Sequence, residues 1–571
     1  IMCGITVSFG KSLSAKLHNQ MTKDLIHRGP DSKNILPINK NLLFGHNRLK
    51  IIDLSNKANQ PMTSNKCNLV FNGIIYNYLE LKEELKENFY FKTTSDTEVI
   101  LAAYLKWGSE CFKKFIGMFS IVIWDDRLKK LIVARDRLGI KPLYYKIFKD
   151  CIYISSEVKP LLRVTDYKIN KNVIYNYFNF SLYEHKENTF FENILQFSPG
   201  YVFQIDGNIK IKKKKYWSLF DIVKRSRENN KIKDINIASE LVENEVNRII
   251  ETYLRSDTKI SLLYSSGLDS NALFNLANSK KNKISLLLSF GFLSKKTKDE
   301  LDYMKKQNVK HFKYRFKLEE YMNNLNKTQI QQEMPWGGPN PYFLGELLNF
   351  SKKNKHTVSL SADGSDEIFG GYNKYLPLKN TSRNLDLDYI SKAPDNTSPD
   401  KKSLLKESFS NGIVNENIIE CPSNKFLDNA RYMDITLSKL PKNFRFSDRY
   451  SMNNSVELRY PFLDHKLIEL SFKFSDSLFI NKHKNKILLR KLYDDKRKKI
   501  HINAPQTSWL YEKKFKKFIF KELKDSPIYD YFLERKKVLS YINVFYEKEV
   551  NNSFKLWQII NYHLWIKRFF N

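Results

Sequence analysis

Hydrophobic residues change their spacing partway along this chain, and that change restricts the fold more than any composition figure. Over roughly the first 160 residues they come in short runs, such as Ile5 to Phe9, Leu69 to Phe71, Phe119 to Trp124 and Leu131 to Ala134, separated by turn clusters. Runs of this kind predict layered β-sheets with few helices. Pro199-Gly200, a strand-like Tyr201 to Ile211 and a lysine run then lead to Tyr216-Trp217. Beyond that point Val242, Val246, Ile249, Ile250 and Leu254 recur at helical spacing. The apolar run Ile260 to Tyr264 ends at Ser265-Ser266-Gly267 before another helical stretch. Helix, strand, loop, helix is the pattern of an α/β unit. The expected boundary falls near residue 216, separating 3–215 from 216–571. The remainder reads as mostly helical, with a polar loop or insert around Asn380 to Ser403.

The length of 571 residues suggests two to four domains. With 42% apolar and 14% aromatic residues the chain can bury sizeable cores, which excludes global disorder. The formal charge of +34 invites a nucleic-acid reading. Its lysines, however, are spread along the whole sequence. The dense runs Lys212 to Lys215 and Lys496 to Lys499 are short and lack interleaved aromatics, so they read as a solvated face or an anion-binding loop. No nucleic-acid partner is expected. No apolar run approaches the roughly 18 residues of a membrane span, and Ile284 to Leu293 is nearer a buried strand. Five scattered cysteines and no signal-like start suggest a soluble protein of the reducing cytoplasm, with no membrane partner.

The chain opens Ile1, Met2, Cys3, Gly4. Removal of Ile1 and Met2 would expose a cysteine α-amine, which titrates at roughly 7.7–8.0 and can act as base toward its own thiol. An ordered series of motifs downstream gives that cysteine company. His27-Arg28-Gly29-Pro30-Asp31, Arg48 through Ser55, Gln60-Pro61-Met62, Phe71-Asn72-Gly73, Tyr76-Asn77, and Ser95-Asp96-Thr97-Glu98 occur in that order. Gly117-Met118-Phe119, Ala134-Arg135-Asp136-Arg137, Gly139 through Tyr145 and Ser155-Ser156-Glu157 continue the series. It resembles the glutamine amidotransferase domain of the glutamine-hydrolysing asparagine synthetase family, a four-layer αββα N-terminal-nucleophile fold. The resemblance implies that Cys3 attacks the glutamine carboxamide and that Asn72 and Gly73 stabilise the oxyanion. It likewise implies glutamine binding by Arg48, Asn72 and Asp96, with Arg48 at the α-carboxylate and Asp96 at the α-ammonium. One position departs: Ile74 stands where the family has a glutamate that helps to hold the ammonium, so weakened glutamine binding is expected.

In the second half Ser265-Ser266-Gly267-Leu268-Asp269-Ser270 follows an apolar strand and precedes a helix. Such a loop offers backbone N–H groups and hydroxyls to an anion. It resembles the S-G-G-L-D-S pyrophosphate loop of ATP pyrophosphatases, with Ser266 replacing a glycine. Ser361-Ala362-Asp363-Gly364-Ser365-Asp366-Glu367 through Tyr372 resembles the synthetase family's S-G-E-G-A-D-E-L-F-G-G-Y. Asp448-Arg449, Ser455-Val456-Glu457, Arg459 with Pro461 through Asp464, and Lys486 through Arg490 match further motifs. The resemblance implies an α/β ATP-pyrophosphatase domain with a parallel sheet and many helices. It places ATP and pyrophosphate at Ser265, Ser266, Gly267, Asp269, Ser270, Ser361, Ala362 and Gly364. Mg²⁺ falls to Asp269 and Asp366, charge at the α-phosphate to Lys486, and Asp363 replaces the family's glutamate near the acceptor. Lys499 through Ile502 depart from the family's K-x-G-F, and Gln332 through Pro339 depart from its D-E-P region.

The implied reaction is a glutamine-dependent, ATP-driven amidation through an acyl-adenylate, with aspartate as the default acceptor and a sugar or peptide carboxylate as the alternative. A non-catalytic or nucleic-acid-binding descendant would lack Cys3, Asp269, Asp366 or Lys486, and all four are present. The family's dimers make a homodimer the assembly to test.

Overall fold

The computed structural model describes residues 3–64, 66–226, 231–265, 267–279, 284–290, 309–378, 385, 389, 392, 403–410, 420–481, 484–493, 505–550 and 552–571. The polar interval Asn380 to Ser403 lies almost wholly outside the described residues, as do Ser266, Ile1, Met2 and Lys496 to Ile502.

The first half is built on two antiparallel six-stranded sheets. One contains β1 (Cys3–Gly10), β2 (Ser32–Asn39), β3 (Leu42–Arg48), β8 (Tyr144–Phe148), β9 (Cys151–Ser155) and β10 (Leu195–Gln196), in the order β10-β8-β9-β1-β3-β2. The other contains β4 (Met62–Thr63), β5 (Cys67–Ile75), β6 (Gly117–Asp125), β7 (Lys130–Arg135), β11 (Tyr201–Ile205) and β12 (Ile211–Lys215), in the order β12-β11-β7-β6-β5-β4. Side chains alternate between the two faces of a strand. Ile5, Val7 and Phe9 therefore enter the core between the sheets, where they cluster with Val70, Val122, Trp124, Leu131 and Val133. The intervening Thr6 and Ser8 turn outward and hydrogen-bond Thr22 and His18, each at 2.8 Å, on the helix Ala15–Lys23. The helix Asp96–Trp107 covers β5 on the far side. Helix, sheet, sheet, helix is the four-layer arrangement expected.

Tyr201 to Ile211 is a hairpin rather than one strand. Asp206-Gly207 supplies the turn, with Asp206 Oδ1 accepting from Asn208 N–H and Lys210 N–H, both at 3.0 Å. The lysine run is its second arm, β12, paired with β11 at the edge of the sheet. It is a strand face and not a loop, and four lysines deter an unpaired edge from joining another chain.

The second half centres on a parallel sheet of β13 (Lys259–Leu263), β14 (Ile284–Phe290), β15 (Lys310–Tyr314), β16 (His356–Leu360) and β17 (Glu457–Arg459), in the order β15-β14-β13-β16-β17. Helices surround it, and among the described residues none is long and apolar enough to cross a membrane. β13 and β16 are neighbours, with Leu262 opposite Leu360. Their C-terminal ends carry the loops before the helices Leu268–Ser279 and Ser365–Phe369. In open α/β sheets ligands bind at such strand ends.

The two halves share a buried ionic seam. Arg28 pairs with Glu157 at 2.8 Å and with Asp448 at 2.8 and 3.0 Å, while Arg449 reaches Asp448 at 3.0 Å and Glu333 at 2.9 Å. Trp217, at the expected boundary, donates to Glu469 of the second half at 2.6 Å.

Candidate active sites

The first site forms where β1 and β5 meet at one end of the sandwich. Cys3 is wholly buried, and burial pushes its thiol up to about 12. Its backbone N–H donates to Asn72 Oδ1 at 2.9 Å, and its carbonyl accepts from Arg28 Nε at 3.1 Å. Asn72 Nδ2 is buried and has no partner among the described residues, so one amide group faces Cys3 with its acceptor engaged and its donor idle. Gly73 has φ +150°, and a Cβ there would overlap the Met118 carbonyl oxygen. No side chain fits.

Asp96 is buried, and burial raises its carboxyl above the ordinary range. Oδ2 accepts from Ile75 N–H at 3.1 Å, while Oδ1 is unpartnered among the described residues. Arg48 is buried too. Its Nη1 donates to the Ser55 carbonyl at 2.6 Å and to Asn59 Oδ1 at 2.8 Å, and its Nη2 donates to the Asp53 carbonyl. Among the described residues, Nε alone is left without a partner. Both terminal nitrogens of the guanidinium fork are thus engaged by its own loop. Ile74 is fully buried in an apolar cluster and sits opposite Met118 in the register of β5 and β6.

The second site lies at the ends of β13 and β16. Lys486, only 1% exposed, directs Nζ to Asp269 Oδ1 at 2.5 Å and Asp366 Oδ1 at 2.7 Å. Burial opposes its charge, but the two carboxylates prevail and hold its pKa above the ordinary lysine value. Ser365 Oγ donates to Asp269 Oδ1 at 2.9 Å. Residues 217 and 120 positions from Lys486 thereby converge on one ammonium. Ser265 and Ser270 hydroxyls lie 3.0 Å apart, and Gly267 N–H donates to Ser265 Oγ at 3.3 Å, which closes the loop on itself. Across from it, Asp363 N–H donates to Ser361 Oγ at 3.3 Å. Gly364 has φ +94°, and a Cβ there would overlap Leu463. Ala362 is half-buried and Asp363 exposed beside them. Ser266 lies outside the described residues.

The structure brings together Cys3, Asn72, Gly73, Arg48 and Asp96 in one place and Asp269, Asp366 and Lys486 in the other. Sequence reasoning gave no part to Ser365, whose hydroxyl joins the second cluster, or to the Arg28, Glu157 and Asp448 ion pairs beneath Cys3. Their motifs were visible in the sequence, but no spacing rule links Arg28 to a residue 420 positions away.

A buried thiol with an amide donor beside it that has no partner among the described residues is joined to a parallel sheet whose strand ends gather two carboxylates and an ammonium, so the chain carries two separate clusters, and its class is that of a glutamine amidotransferase joined to a synthase. The family described as glutamine amidotransferase domain matches residues 2–217, and the one described as asparagine synthase matches residues 241–567. The chain belongs to the asparagine synthase family and is a carbon–nitrogen ligase of the glutamine-dependent, asparagine synthetase-like kind. Glutamine-hydrolyzing asparagine synthetase 1 of Bacillus subtilis (strain 168) is 29% identical, with 99% of this chain and 96% of that protein covered. Asparagine synthetase 2 of the same organism is 30% identical, covering 90% and 72%. Amidase chry2 of Gibberella zeae is 26% identical, covering 66% and 60%.

Proposed function

We propose that this chain activates a carboxylate with ATP as an acyl-adenylate and amidates it with ammonia taken from glutamine, aspartate being the default acceptor. The observation that carries the reading is the convergence of Asp269, Asp366 and Lys486 at the ends of adjacent parallel strands. The proposed domains are 3–215 for glutamine hydrolysis and 216–571 for synthesis, in keeping with matches that end at 217 and resume at 241.

A thiol pushed to about 12 is almost wholly protonated at neutral pH, so attack on glutamine needs a base at hand. A freed Cys3 α-amine fills that part, and Asn72 Oδ1 already orients the same nitrogen. Cys3 Sγ adds to the carboxamide carbon, and Asn72 Nδ2 with the Gly73 N–H receives the negative oxygen. Collapse expels ammonia and leaves a thioester, which water cleaves to glutamate. In the second site an acceptor carboxylate oxygen attacks the α-phosphate, pyrophosphate leaves, and ammonia then displaces AMP to give the amide. Lys486 offsets negative charge at the α-phosphate, while the Ser265 to Ser270 loop and Ser361 to Gly364 flank the polyphosphate.

Asp269 and Asp366 converge on the Lys486 ammonium yet stay 22% and 19% exposed, so two partly exposed carboxylates supply hard oxygen donors of the kind that suits Mg²⁺ completed by phosphate oxygens. Asp269 and Asp366 would hold it, and bound there it would neutralise the triphosphate and the leaving pyrophosphate. The same reading extends to a cytoplasmic enzyme, in keeping with five unpaired cysteines, and to a homodimer, which sedimentation tests.

A sugar or peptide carboxylate is the second reading. It is favoured by the departure at Gln332 to Pro339 and by a relative named an amidase. In the structure Glu333 is buried against Arg449, and Trp336 is buried with its carbonyl held by Asn561 at 2.9 Å. Mass spectrometry of products from amide-¹⁵N glutamine, ATP and Mg²⁺ decides between acceptors. Labelled asparagine from aspartate is the expected product; a labelled amide only on another carboxylate replaces aspartate, and AMP formation in no mixture refutes the adenylate.

A further inference from the structure

Asp53 holds a left-handed φ of +55° without being glycine, a conformation that surrounding bonds must maintain. Its carbonyl accepts from Arg48 Nη2. Its Oδ1 accepts from Ser55 N–H at 3.0 Å and Ser55 Oγ at 2.6 Å, and its Oδ2 accepts from Thr94 N–H at 2.9 Å. Thr94 precedes Ser95, which caps the helix that begins at Asp96. One residue therefore ties the loop gripping Arg48 to the turn presenting Asp96. Its remaining group, the N–H, leaves the first half altogether and donates to Asp257 Oδ2 at 2.8 Å. Asp257 N–H returns a bond to the Ile51 carbonyl at 3.0 Å. Next to it Arg255 donates to the Tyr76 carbonyl at 2.8 Å and to both oxygens of Glu80 at 2.6 Å. Asp257 lies just ahead of β13, the strand that leads into the loop Ser265 to Ser270.

We infer that Asp257, a residue of the second half, is a positioning residue for glutamine: by fixing Asp53 it sets the relative placement of Arg48 and Asp96. The inference rests on reading the Cys3 site as the glutamine site. On that reading Arg48, through the Nε that its loop leaves unpartnered among the described residues, and Asp96, through Oδ1, take the amino-acid end of the substrate, away from the reacting carboxamide. Their disturbance weakens ground state and transition state alike, which raises KM and leaves kcat unchanged.

The test uses the full chain and two variants, Asp257→Ala and Asp257→Asn, with glutamate release measured against L-glutamine and amide synthesis measured with ammonium chloride. Asp257→Ala removes a charged acceptor from a backbone donor, so KM for glutamine is expected to rise about tenfold at nearly constant kcat. Ammonium-supported synthesis stays unchanged. Asp257→Asn keeps an acceptor oxygen and is expected to restore KM to within about twofold of the parent. An unchanged KM in Asp257→Ala overturns the inference. So does an equal defect in Asp257→Asn, or a parallel fall in ammonium-supported synthesis. Absence of glutamine hydrolysis in the parent chain overturns the reading of the Cys3 site itself, an outcome visible before any variant is made.

Discussion

Replacing Lys486 with methionine keeps the length of the side chain and removes its charge. The ammonium stands 2.5 Å from Asp269 and 2.7 Å from Asp366; its own side chain is 1% exposed, theirs 22% and 19%. Without it two carboxylates face each other with no cation between them. Stripping one partner from a buried pair costs roughly 3–5 kcal/mol, and the partial hydration of both aspartates places the loss at the low end, about 3 kcal/mol. The sign with pH follows from the direction of the shift. Burial opposes the charge, yet Asp269 and Asp366 raise the Lys486 pKa above its ordinary 10.5, so its contribution is fully present at neutral pH and disappears only as pH rises past that value. Melts at pH 7 should therefore show a lower Tm in Lys486→Met, with partial recovery in Mg²⁺, which can bridge the bared carboxylates. Amide synthesis should fall by about 10²–10³, with glutamine and with ammonium alike, because a transition-state cation is gone. Glutamine hydrolysis should hold to within about twofold, since distant sites act independently. A Tm equal to the parent's, or synthesis surviving within about tenfold, would refute the reasoning.

Cys3→Ala is expected to abolish glutamine-dependent amide formation and glutamine hydrolysis while ammonium-supported synthesis persists; measuring both supplies on one preparation checks it, and equal loss of the two sinks the division of labour. Ile74→Glu restores the family residue but buries a carboxylate in the apolar cluster opposite Met118, so Tm should fall by the equivalent of at least about 2 kcal/mol, with part regained in saturating glutamine, whose ammonium can pair with it. An unchanged Tm would show that the side chain reaches solvent. Burial lowers His18 to about 4 and His46 to about 3, so both are neutral in the fold and charge on unfolding. The stability this gives is present above the ordinary histidine value near 6.5 and lost as pH falls toward 4, on the order of 3 kcal/mol for His18. Melts across that range, with His18→Gln as the control that should flatten the decline, test it.

Much of the fold was legible because local patterns decide local structure. Ile5 to Phe9, Leu69 to Phe71, Phe119 to Trp124 and Leu131 to Ala134 all lie in strands, and Val242, Val246, Ile249 and Ile250 line the buried face of the helix Ile235–Tyr253. The strand reading of Tyr201 to Ile211 failed at Asp206-Gly207, where turn chemistry outweighed an apolar flank. Gln332 to Pro339, where the sequence departs from the family's D-E-P region, is held at Glu333 by Arg449 and at Trp336 by Asn561, both distant in sequence.

By itself the sequence determined which residue types each site would have at hand. Cys3, Asn72, Gly73, Asp269, Asp366 and Lys486 stand in ordered motifs, and strand or helix periodicity shows which elements carry them. Only the tertiary structure decided how those groups are held. Asn72 Oδ1 meets the nitrogen of Cys3 because β1 and β5 lie in facing sheets, and Asp269 meets Asp366 because β13 and β16 are neighbours. Lys486 lies between those two aspartates, and Arg28 reaches Asp448, because the chain returns after more than 100 residues. The physical reason is range. Backbone propensity and side-chain alternation act over a few residues, whereas the hydrogen bonds and ion pairs that set each site's charge act through space, between segments that are adjacent only once the sheets have assembled and excluded water.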